Sequence, residues 1–476
     1  MNLHNLLTDI QIVIAYYAII YLTIYLLFGY FSFKAIKKYF NSKNYLSKEL
    51  LLNSDYITGV SIIAPAYNEC KTVVYNVKSL LKQNYKNYEV ILVNDGSTDN
   101  TLELLIDKFS LVKVDFFYNE QIKTEPIKGH YKSSNPEYAK LLVVDKFNGG
   151  SKADASNAGI NSSKYPLFIC TDVDCILRKD TIALLVRPFI SGRTKTIATG
   201  GAIRIANSCK IENGELVESH FPKEFFPKFQ ELEYIRAFLY GRMAWSQING
   251  LLLISGGLGM FDKEIAIEAG GYKHDSLAED LDLVIRMRML LHERNEKFSV
   301  RYSPETLCWT EVPNNSKYFI RQRVRWARGL FQTILLHKKL FFNPKYGITG
   351  LLSFPYFVLY EFFIPIISII GFIAFLLSVL LYDINEEFYI YVTTFVYLFY
   401  TFITLAAVYV DQQFYRHYSN VKELFSLILN VLVEPFIFHP FQTFASLKGY
   451  VLHLTGKKST WGEMDRSGFN SKLKES

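Results

Sequence analysis

Four long apolar segments, separated by one region of mixed composition, limit how this 476-residue chain can fold. The first segment, residues 10–33, is almost free of charge and is long enough to cross a bilayer as one helix. The other three lie closer to the C-terminal end, at residues 350–382, 388–410 and 424–454. Between them, residues 40–340 have the composition of a soluble α/β domain. The pattern predicts a membrane protein with one large soluble domain.

The charges that flank the apolar segments predict the orientation of the chain. Residues 1–9 carry no positive charge and no cleavage site follows the first segment, which favours a retained anchor over a signal peptide. Basic residues flank the first two segments and acidic residues follow the second: Lys34, Lys37, Lys38, Lys43, Lys48, Lys338, Lys339, Lys345, Asp383, Glu386 and Glu387. Because basic flanks stay on the cytoplasmic side, we expect an integral inner (plasma) membrane protein with an external N-terminus and a cytoplasmic central domain.

These boundaries divide the chain into four parts. We expect an N-terminal transmembrane anchor at 1–39, a cytosolic domain with interfacial helices at 40–340, transmembrane and interfacial helices at 341–456, and a basic cytosolic tail at 457–476. Glu434 and His439 lie inside the last apolar segment. Ionisable groups at membrane depth suggest function, but a short interfacial or re-entrant helix pair is the favoured interpretation of this segment.

The remaining composition excludes several classes of protein. The net charge of +7 comes mostly from the lysines beside the apolar segments, which suits contact with anionic membrane lipid rather than nucleic acid. The five cysteines form no C-x-x-C pair, so we expect free thiols. The nine histidines form no H-x-x-x-H pair, so a zinc site is not expected.

The central region alternates strand and helix patterns. Apolar runs at 60–64 and 88–93 flank an amphipathic pattern at 72–83, which predicts strand, helix and strand of a doubly wound sheet. Further predicted elements are a helix at 101–109 capped by Asp99, strands at 112–118, 140–145, 197–205 and about 301–309, and helices at 153–161 and 225–253. The polar, proline-broken stretch at 119–138 is predicted to be a mobile loop.

Asp172 and Asp174 directly follow an apolar run, so a buried strand is predicted to end with two carboxylates in one small space. Such a pair repels itself unless a cation lies between the groups or one of them is protonated. Hard divalent ions take oxygen ligands and often arrive with the phosphates of a substrate. The sequence therefore suggests a metal site for a phosphorylated ligand, although D-x-D also occurs in ordinary turns.

Two further positions could bind such a ligand. Asp95 follows a strand in a D-G-S turn, where a carboxylate can accept the ring N–H of a base; an Asx turn explains it equally well. Lys152 lies at a predicted helix start, where a basic side chain and free N–H groups can meet a diphosphate. A solvated surface lysine is equally common.

Acidic and cationic groups at two later helices have a structural and a functional interpretation. Glu279 and Asp280 at a helix start can compensate the helix dipole, or Asp280 can act as a general base. Gln322, Arg325 and Trp326 can form a cationic helix at a lipid surface. Alternatively, Trp326 offers a flat face to a sugar and Arg325 neutralises a leaving diphosphate.

The order of these motifs resembles that of the membrane-embedded processive glycosyltransferases of family 2, which include hyaluronan, cellulose and poly-N-acetylglucosamine synthases. The matching stretches are SIIAPAYNE at 61–69, VNDGSTDNT at 93–101, NGGSKADASNAGI at 148–160, TDVD at 171–174, AED at 278–280 and QRVRW at 322–326. The resemblance implies a GT-A nucleotide-sugar-binding fold, a doubly wound mixed sheet, inserted between transmembrane helices. Asn94 and Ala278 replace the Asp and Thr of many relatives, and neither change removes a required charge.

The same resemblance implies a role for each motif residue. Asp95 contacts the uracil of a UDP-sugar, Lys152 lies near the diphosphate, and Glu69 belongs to the substrate site. Asp172 and Asp174 bind a divalent cation, Mg²⁺ or Mn²⁺. Asp280, beside Glu279, deprotonates the acceptor hydroxyl. The acceptor and diphosphate site is formed by Gln322, Arg325 and Trp326.

The implied function is inverting, processive transfer of a sugar from a UDP-sugar to a growing β-linked polysaccharide. GGSKADASNAGI and the single N-terminal span resemble the N-acetylglucosamine-polymer synthases most, so UDP-N-acetylglucosamine is the expected donor. The expected partners are this donor, the polymer or a lipid-linked acceptor, membrane lipid, and an accessory synthase or export subunit, with no nucleic acid. The alternatives are a single transfer to a lipid-linked acceptor and an inactive membrane scaffold.

Overall fold

A computed structural model describes residues 3–42, 57–191, 194–382, 386–418 and 420–456. In it, an α/β body lies between one long N-terminal helix and a set of long C-terminal helices. Some of the residues used to predict orientation lie outside the described residues, namely Lys43, Lys48, Asp383 and the basic tail at 457–476.

The α/β body is built on a sheet of ten strands in the order β3-β4-β5-β2-β1-β6-β11-β8-β12-β7, with β9 and β10 forming a separate hairpin. The strands are β1 (Val60–Ala66), β2 (Tyr88–Asp95), β3 (Leu111–Val114), β4 (Ile127–Ser133), β5 (Leu141–Lys146), β6 (Leu167–Thr171), β7 (Cys175–Leu177), β8 (Lys195–Ile205), β9 (Lys210–Glu212), β10 (Glu215–Glu218), β11 (Leu258–Asp262) and β12 (Phe298–Thr310). Strands β5, β2, β1 and β6 are parallel, whereas β11 runs antiparallel between β6 and β8. This mixed sheet confirms the predicted α/β fold class.

The helices cover both faces of the sheet and continue into the apolar segments. They are α1 (Leu3–Ser42), α2 (Val73–Leu81), α3 (Thr101–Phe109), α4 (Lys152–Ser162), α5 (Thr181–Ser191), α6 (Phe225–Ile235), α7 (Met243–Gln247), α8 (Lys263–Glu268), α9 (Glu279–Glu293), α10 (Ser316–Leu336), α11 (Ile364–Leu381), α12 (Glu386–Tyr415) and α13 (Val421–Leu454). Every residue of β1 and β2 is buried, as expected for central parallel strands covered on both faces.

Two predicted elements differ from the structure. The stretch at 119–138, predicted to be a mobile loop, contains β4, which pairs antiparallel with β3 and β5. Because β4 lies near the sheet edge, its apolar and polar side chains alternate only weakly. The sequence pattern therefore did not predict this strand. The helix predicted at 225–253 ends at Gln247, since Asn249 takes a left-handed conformation with φ of 56° before Gly250. A π-helical segment, Arg236–Arg242, joins α6 and α7.

Within the described residues, four helices are long and apolar enough to cross a membrane: Leu3–Asn41, Thr349–Leu381, Tyr389–Tyr415 and Val421–Leu454. The short re-entrant or interfacial pair predicted for the last segment is wrong, because α13 runs unbroken through both of its prolines. Its Glu434 is fully buried and accepts two hydrogen bonds from Arg236, at 2.6 and 2.7 Å. A buried charge pair accounts for the carboxylate inside this apolar helix without a break in the helix.

A second buried ion network joins the sheet to the apolar helices. Arg204 of β8 donates to Glu231 of α6 at 2.6 Å and is paired with Asp411 of α12. All three side chains are at least nine-tenths buried. The Tyr418 hydroxyl completes the network by donating to Glu231 at 2.7 Å. The α/β body and the C-terminal helices are therefore bonded together through charged groups.

Candidate active site

One large cavity, with a volume of about 1310 Å³, lies at the edge of the sheet where β1, β2 and β6 have their carboxyl ends. Ligand sites of doubly wound sheets form at this edge. The predicted site residues that line it are Glu69, Lys152, Asp172, Asp174, Glu279, Asp280, Gln322, Arg325 and Trp326. Glu69 lies in the turn before α2, where its carboxylate accepts a hydrogen bond from the Thr72 hydroxyl at 2.8 Å. Apart from Asp95, the fold brings all of the predicted residues together.

Asp172 and Asp174 occupy the short connection between β6 and β7. Their carboxylate oxygens and the sulfur of Cys175 all lie within 4.8 Å of one another. Asn76 fixes this connection by donating to the backbone oxygens of Asp172 and Cys175, at 3.3 and 2.7 Å. A hydrogen bond with Cys308, together with burial, raises the pKa of the Cys175 thiol. Two carboxylates beside a neutral thiol form a donor set that fits a hard divalent cation.

Lys152 is the first residue of α4 and forms an ion pair with Asp172. Its ammonium group also donates to the backbone oxygen of Gly256 at 3.0 Å. Burial lowers the pKa of Lys152, but the neighbouring negative charges, first that of Asp172, and the hydrogen bond to Asp172 together outweigh burial, so the pKa lies above the usual range for lysine. Lys152 is therefore a fixed positive charge beside the carboxylate pair.

Gly256 and Gly257 bring the two acidic pairs close to each other. They precede β11, whose Leu258 pairs with Thr171 at the end of β6, and this register places them beside Asp172. A Cβ atom on Gly256 would lie 3.1 Å from the Lys152 ammonium, and one on Gly257 would lie 3.5 Å from an Asp172 oxygen. The position of this glycine turn beside Asp172 follows from the antiparallel pairing of β11 with β6.

Glu279 and Asp280 begin α9 on the other side of the glycine turn. Backbone N–H groups hold the Asp280 carboxylate, with Gly256 donating to Oδ2 at 2.9 Å and Leu281 donating to Oδ1 at 2.8 Å. Burial, followed by the charge of Asp280, raises the pKa of Glu279. The arrangement places a hydrogen-bonded carboxylate at the cavity wall, where it could accept a proton.

Helix α10 forms the wall that carries Gln322, Arg325 and Trp326. Trp326 is 39% exposed, and the Arg323 guanidinium lies 4.4 Å from its ring centroid. Arg323 is held in turn by Glu233 of α6 through two hydrogen bonds, at 2.5 and 2.6 Å. Glu233 was missed in the sequence, because nothing in the α6 pattern distinguishes it from an ordinary helix carboxylate.

Asp95 does not line the cavity. It is fully buried, and its Oδ1 accepts hydrogen bonds from the Lys146 ammonium at 2.7 Å and from the Gly149 N–H at 3.1 Å. Lys146 also pairs with Asp154 at 2.5 Å. Burial raises the pKa of Asp95 even though Lys146 opposes the shift. Within the described part of the chain its Oδ2 has no hydrogen-bond partner, so one oxygen remains available to a donor.

The cavity continues from these groups into the space between the apolar helices. Tyr21 and Tyr25 of α1, Tyr400 of α12, and His439 and Ser446 of α13 also line it. These side chains carry hydroxyl or imidazole groups on helices that are otherwise apolar on their outer faces. The same space therefore connects the acidic groups with the long apolar helices.

Two segments of the chain match known sequence families. Residues 61–121 match the family described as glycosyl transferase family 2, and residues 223–410 match glycosyl transferase family group 2. The first match includes Glu69 and Asp95, and the second includes the AED and QRVRW motifs.

Curated relatives and one solved structure agree with these matches. A poly-β-1,6-N-acetyl-D-glucosamine synthase of Staphylococcus epidermidis is 26% identical over 66% of this chain and 64% of its own length. The corresponding synthase of Staphylococcus aureus is 28% identical over 61% of this chain and 59% of its own length. The chain thus matches less than two thirds of each relative.

Among solved structures, a mannosyltransferase of Pyrobaculum calidifontis in complex with GDP-Man and Mn²⁺ has a TM-score of 0.55 and 16% identity. The likeness covers 90% of this chain and 100% of that one, and it confirms the GT-A fold. The two family matches and the curated relatives support one conclusion. The chain contains family 2 glycosyltransferase domains and is homologous to the poly-β-1,6-N-acetylglucosamine synthases.

Proposed function

We propose that the protein is an inverting, processive glycosyltransferase of the inner membrane. It transfers N-acetylglucosamine from UDP-N-acetylglucosamine to a growing β-linked polysaccharide. The observation that carries this proposal is the single cavity that holds both acidic pairs and the QRVRW motif and continues between the apolar helices. The activity named for the staphylococcal relatives supports the choice of donor sugar.

In the proposed donor site, Asp172 and Asp174 hold a divalent cation, Mg²⁺ or Mn²⁺. When bound, such a cation neutralises the charge that develops on the diphosphate as UDP leaves. Lys152 supplies a second positive charge next to Asp172. In this proposal the unpartnered Oδ2 of Asp95 accepts a hydrogen bond from an N–H of the uracil, and Lys146 orients the carboxylate. Glu69 lies at the rim of the same site.

Asp280 acts as the general base in the transfer step. It accepts the proton of the acceptor hydroxyl while that oxygen forms a bond to the anomeric carbon of the donor. The bond between this carbon and the UDP oxygen breaks on the opposite face, which inverts the configuration. Backbone N–H groups of Gly256 and Leu281 hold Asp280 for this contact, and a well-placed base contributes about 10²–10⁴ in rate. Glu279 lies beside it with a raised pKa.

Trp326 and Gln322 form the acceptor side in this proposal, with Arg325 next to the leaving diphosphate. The Arg323 guanidinium lies over the Trp326 ring, and Glu233 keeps it there. An indole ring in a cavity wall provides an apolar surface on which a sugar ring can rest. Because the cavity extends beyond Trp326 between the apolar helices, a product chain has space to stay bound between transfers.

The same extension favours one alternative. A cavity that opens among apolar helices would also admit a lipid-linked acceptor, and the enzyme would then add a single sugar. An inactive scaffold is the third possibility from the sequence. The acidic groups in the cavity are held in place by ion pairs and hydrogen bonds. This order argues against an inactive scaffold, which would not need acidic groups at defined positions.

A product-size experiment separates the three functions. Membrane vesicles that contain the protein are given radiolabelled UDP-sugars with Mg²⁺, with Mn²⁺ or with neither, and the products are sized by chromatography. Vesicles from cells that lack the protein are the control. We expect long cation-dependent polymer from UDP-N-acetylglucosamine. A single-sugar lipid product supports the alternative acceptor, and no transfer from any UDP-sugar overturns the enzymatic proposal.

The proposed orientation has a natural probe. Among the free cysteines, Cys70 is the exposed one and lies at the cavity rim. We expect a membrane-impermeant maleimide to label it in inside-out vesicles and not in intact cells, with Cys70→Ser as the control. Labelling from outside the cell would place the α/β body on the external face and overturn the proposal.

A further inference from the structure

The C-terminal half of α10 contacts the turn that leads to Glu279 and Asp280. Gln322 and Arg325, in the first half of the helix, line the cavity. Gly329 and Gln332 follow four and seven residues after Arg325, so they continue the same helical face. One helix therefore carries the proposed acceptor motif at one end and touches the base-bearing turn with the other.

Gly329 allows the helix and the turn to approach each other closely. A Cβ atom at this position would lie 2.8 Å from the Ala278 Cβ and 3.0 Å from the Ala278 nitrogen. Such distances are shorter than van der Waals contact, and two backbone segments that meet this closely need a glycine between them. Because Ala278 immediately precedes α9, the contact fixes the start of that helix.

Gln332 binds the backbone of the turn at two points. Its Oε1 accepts a hydrogen bond from the Leu277 N–H at 3.0 Å, and its Nε2 donates to the Asp275 oxygen at 2.8 Å. A side-chain amide that satisfies both a donor and an acceptor of a loop substitutes for the pairing that the loop lacks. The loop conformation two residues before Glu279 is therefore set by α10.

His337, at the end of α10, makes a third contact. Its Nε2 lies 2.7 Å from Oδ1 of Asp282, and both side chains are buried. The other oxygen of Asp282 accepts a hydrogen bond from Arg286 at 2.8 Å, and Arg286 also donates to the Gly271 oxygen at 2.6 Å. The first turn of α9 is thus tied to α10 on one side and to the 269–271 segment on the other.

We propose that Gly329, Gln332 and His337 form a positioning strap, which holds the Glu279–Asp280 turn at a fixed distance from Arg325 and Trp326. None of the three strap residues lines the cavity, so they act through the turn and not on the substrate. The inference deepens the proposed function and rests on it. A displacement of a base by about 1 Å can cost on the order of 100-fold in rate, so the strap determines turnover and leaves the donor site unchanged.

The kinetic test uses graded changes at Gln332. Gln332→Met removes both hydrogen bonds at similar length, whereas Gln332→Glu keeps an acceptor for the Leu277 N–H. We expect kcat for polymer formation to fall about 10–100-fold in the first variant and less in the second, with KM for the UDP-sugar changed by less than about twofold. Gln121→Ala, at an exposed loop position, is the matched control. A general loss of folding would instead reduce donor binding and thermal stability together.

A matched pair of variants tests the third contact. His337→Leu removes the contact to Asp282, while His337→Gln offers an amide donor in place of the imidazole. We expect the leucine variant to lose turnover and the glutamine variant to recover most of it. Equal activity of the two variants would remove His337 from the strap.

Hydrogen exchange supplies a readout that does not need activity. We expect the backbone amides of residues 275–281 to exchange several-fold faster in full-length Gln332→Met protein than in the wild type, whereas those of β1 and β2 remain unchanged. Unchanged exchange in that segment, or wild-type turnover, overturns the strap. If the wild-type protein makes no polymer, but exchange in residues 275–281 is still faster in Gln332→Met than in the wild type, the proposed function is overturned and the strap stays intact.

Discussion

The negative charges of the two acidic pairs in the cavity are stabilised by different groups. Asp172 and Asp174 follow a strand, and the Asp172 carboxylate is paired with the ammonium group of Lys152. Glu279 and Asp280 begin a helix, and Asp280 is held by backbone N–H groups. A positive side chain can exchange its partner for an incoming ion, whereas fixed backbone dipoles stay in place. The difference suits the first pair to a cation that arrives with the donor and the second to a permanent base.

The largest expected effect is at the second pair. Asp280→Asn keeps the shape of the side chain but removes its capacity to accept a proton, so transfer should fall about 10²–10⁴-fold. UDP affinity, measured by calorimetry on purified protein, should stay close to that of the wild type. Turnover within about tenfold of the wild type would show that Asp280 is not the base.

A change in the first pair, Asp172 and Asp174, should weaken UDP binding, which the Asp280 change leaves intact. Asp174→Ala removes one ligand of the proposed cation, and UDP affinity in the presence of Mn²⁺ should fall at least about 100-fold. Chelation with EDTA should weaken UDP binding to the wild type by a similar factor and have little further effect on the variant. Equal UDP affinity with and without the cation would contradict the proposed metal site.

Replacement of Lys152 tests whether the first pair depends on its counter-charge. Lys152→Met keeps the length of the side chain but removes its charge. Because a charged hydrogen bond contributes about 1.5–3 kcal/mol, KM for the donor should rise at least about tenfold. Lys164→Met, at an exposed lysine away from the cavity, is the control. An unchanged KM would mean that Lys152 does not meet the diphosphate.

A smaller effect is expected at the acceptor side, beyond both pairs. Glu233→Gln weakens the hold on Arg323 and so disturbs the Trp326 ring, whose contact with a cation is worth about 0.5–1 kcal/mol at an exposed site. The polymer should become about two- to fivefold shorter on a sizing column, while donor KM stays constant. Polymer of wild-type length would exclude Glu233 from the acceptor site.

The smallest effect concerns pH. Burial and the charge of Asp280 raise the pKa of Glu279 above its ordinary value of 4.5, so the folded protein binds this proton more tightly than the unfolded chain. The stabilisation is complete below pH 4.5 and is lost as the pH rises through the folded-state pKa. Glu279→Gln should therefore lessen the fall in Tm from pH 5 to pH 7 by about 1–2 °C. An identical pH dependence of Tm in both proteins would contradict this assignment.

Much of the fold follows from local patterns. The apolar runs of β1, β2 and β6 predicted central strands, and the polar residues after them predicted where the cavity lies. Strand β4 and the unbroken course of α13 could not be predicted, since β4, which lies next to the edge strand β3, has little apolar signal, and prolines within a long helix look like breaks. The domain boundaries and the roles of the site residues stay predictions until they are measured.

The site residues that belong to sequence motifs could be predicted. The site residues that act through contacts distant along the chain could not. The sequence placed Asp172, Asp280 and Trp326 in one site, because the order of their motifs is distinctive. Glu233 and Gln332 were found only in the structure, because each contacts a partner that is distant along the chain; Gln332 and Leu277, for example, are 55 positions apart. No local pattern contains such a pairing.

The buried arginines have a consequence for exchanging parts between related enzymes. Arg204 and Arg236 belong to the α/β body and its attached helix, whereas their partners Asp411 and Glu434 belong to the last two helices. A chimaera that joins this α/β body to the helices of a relative without those acids would leave Arg236 buried without its carboxylate and Arg204 with Glu231 alone. Each such loss costs about 3–5 kcal/mol. The α/β body and the last two helices therefore form one unit for engineering, and one is best exchanged together with the other.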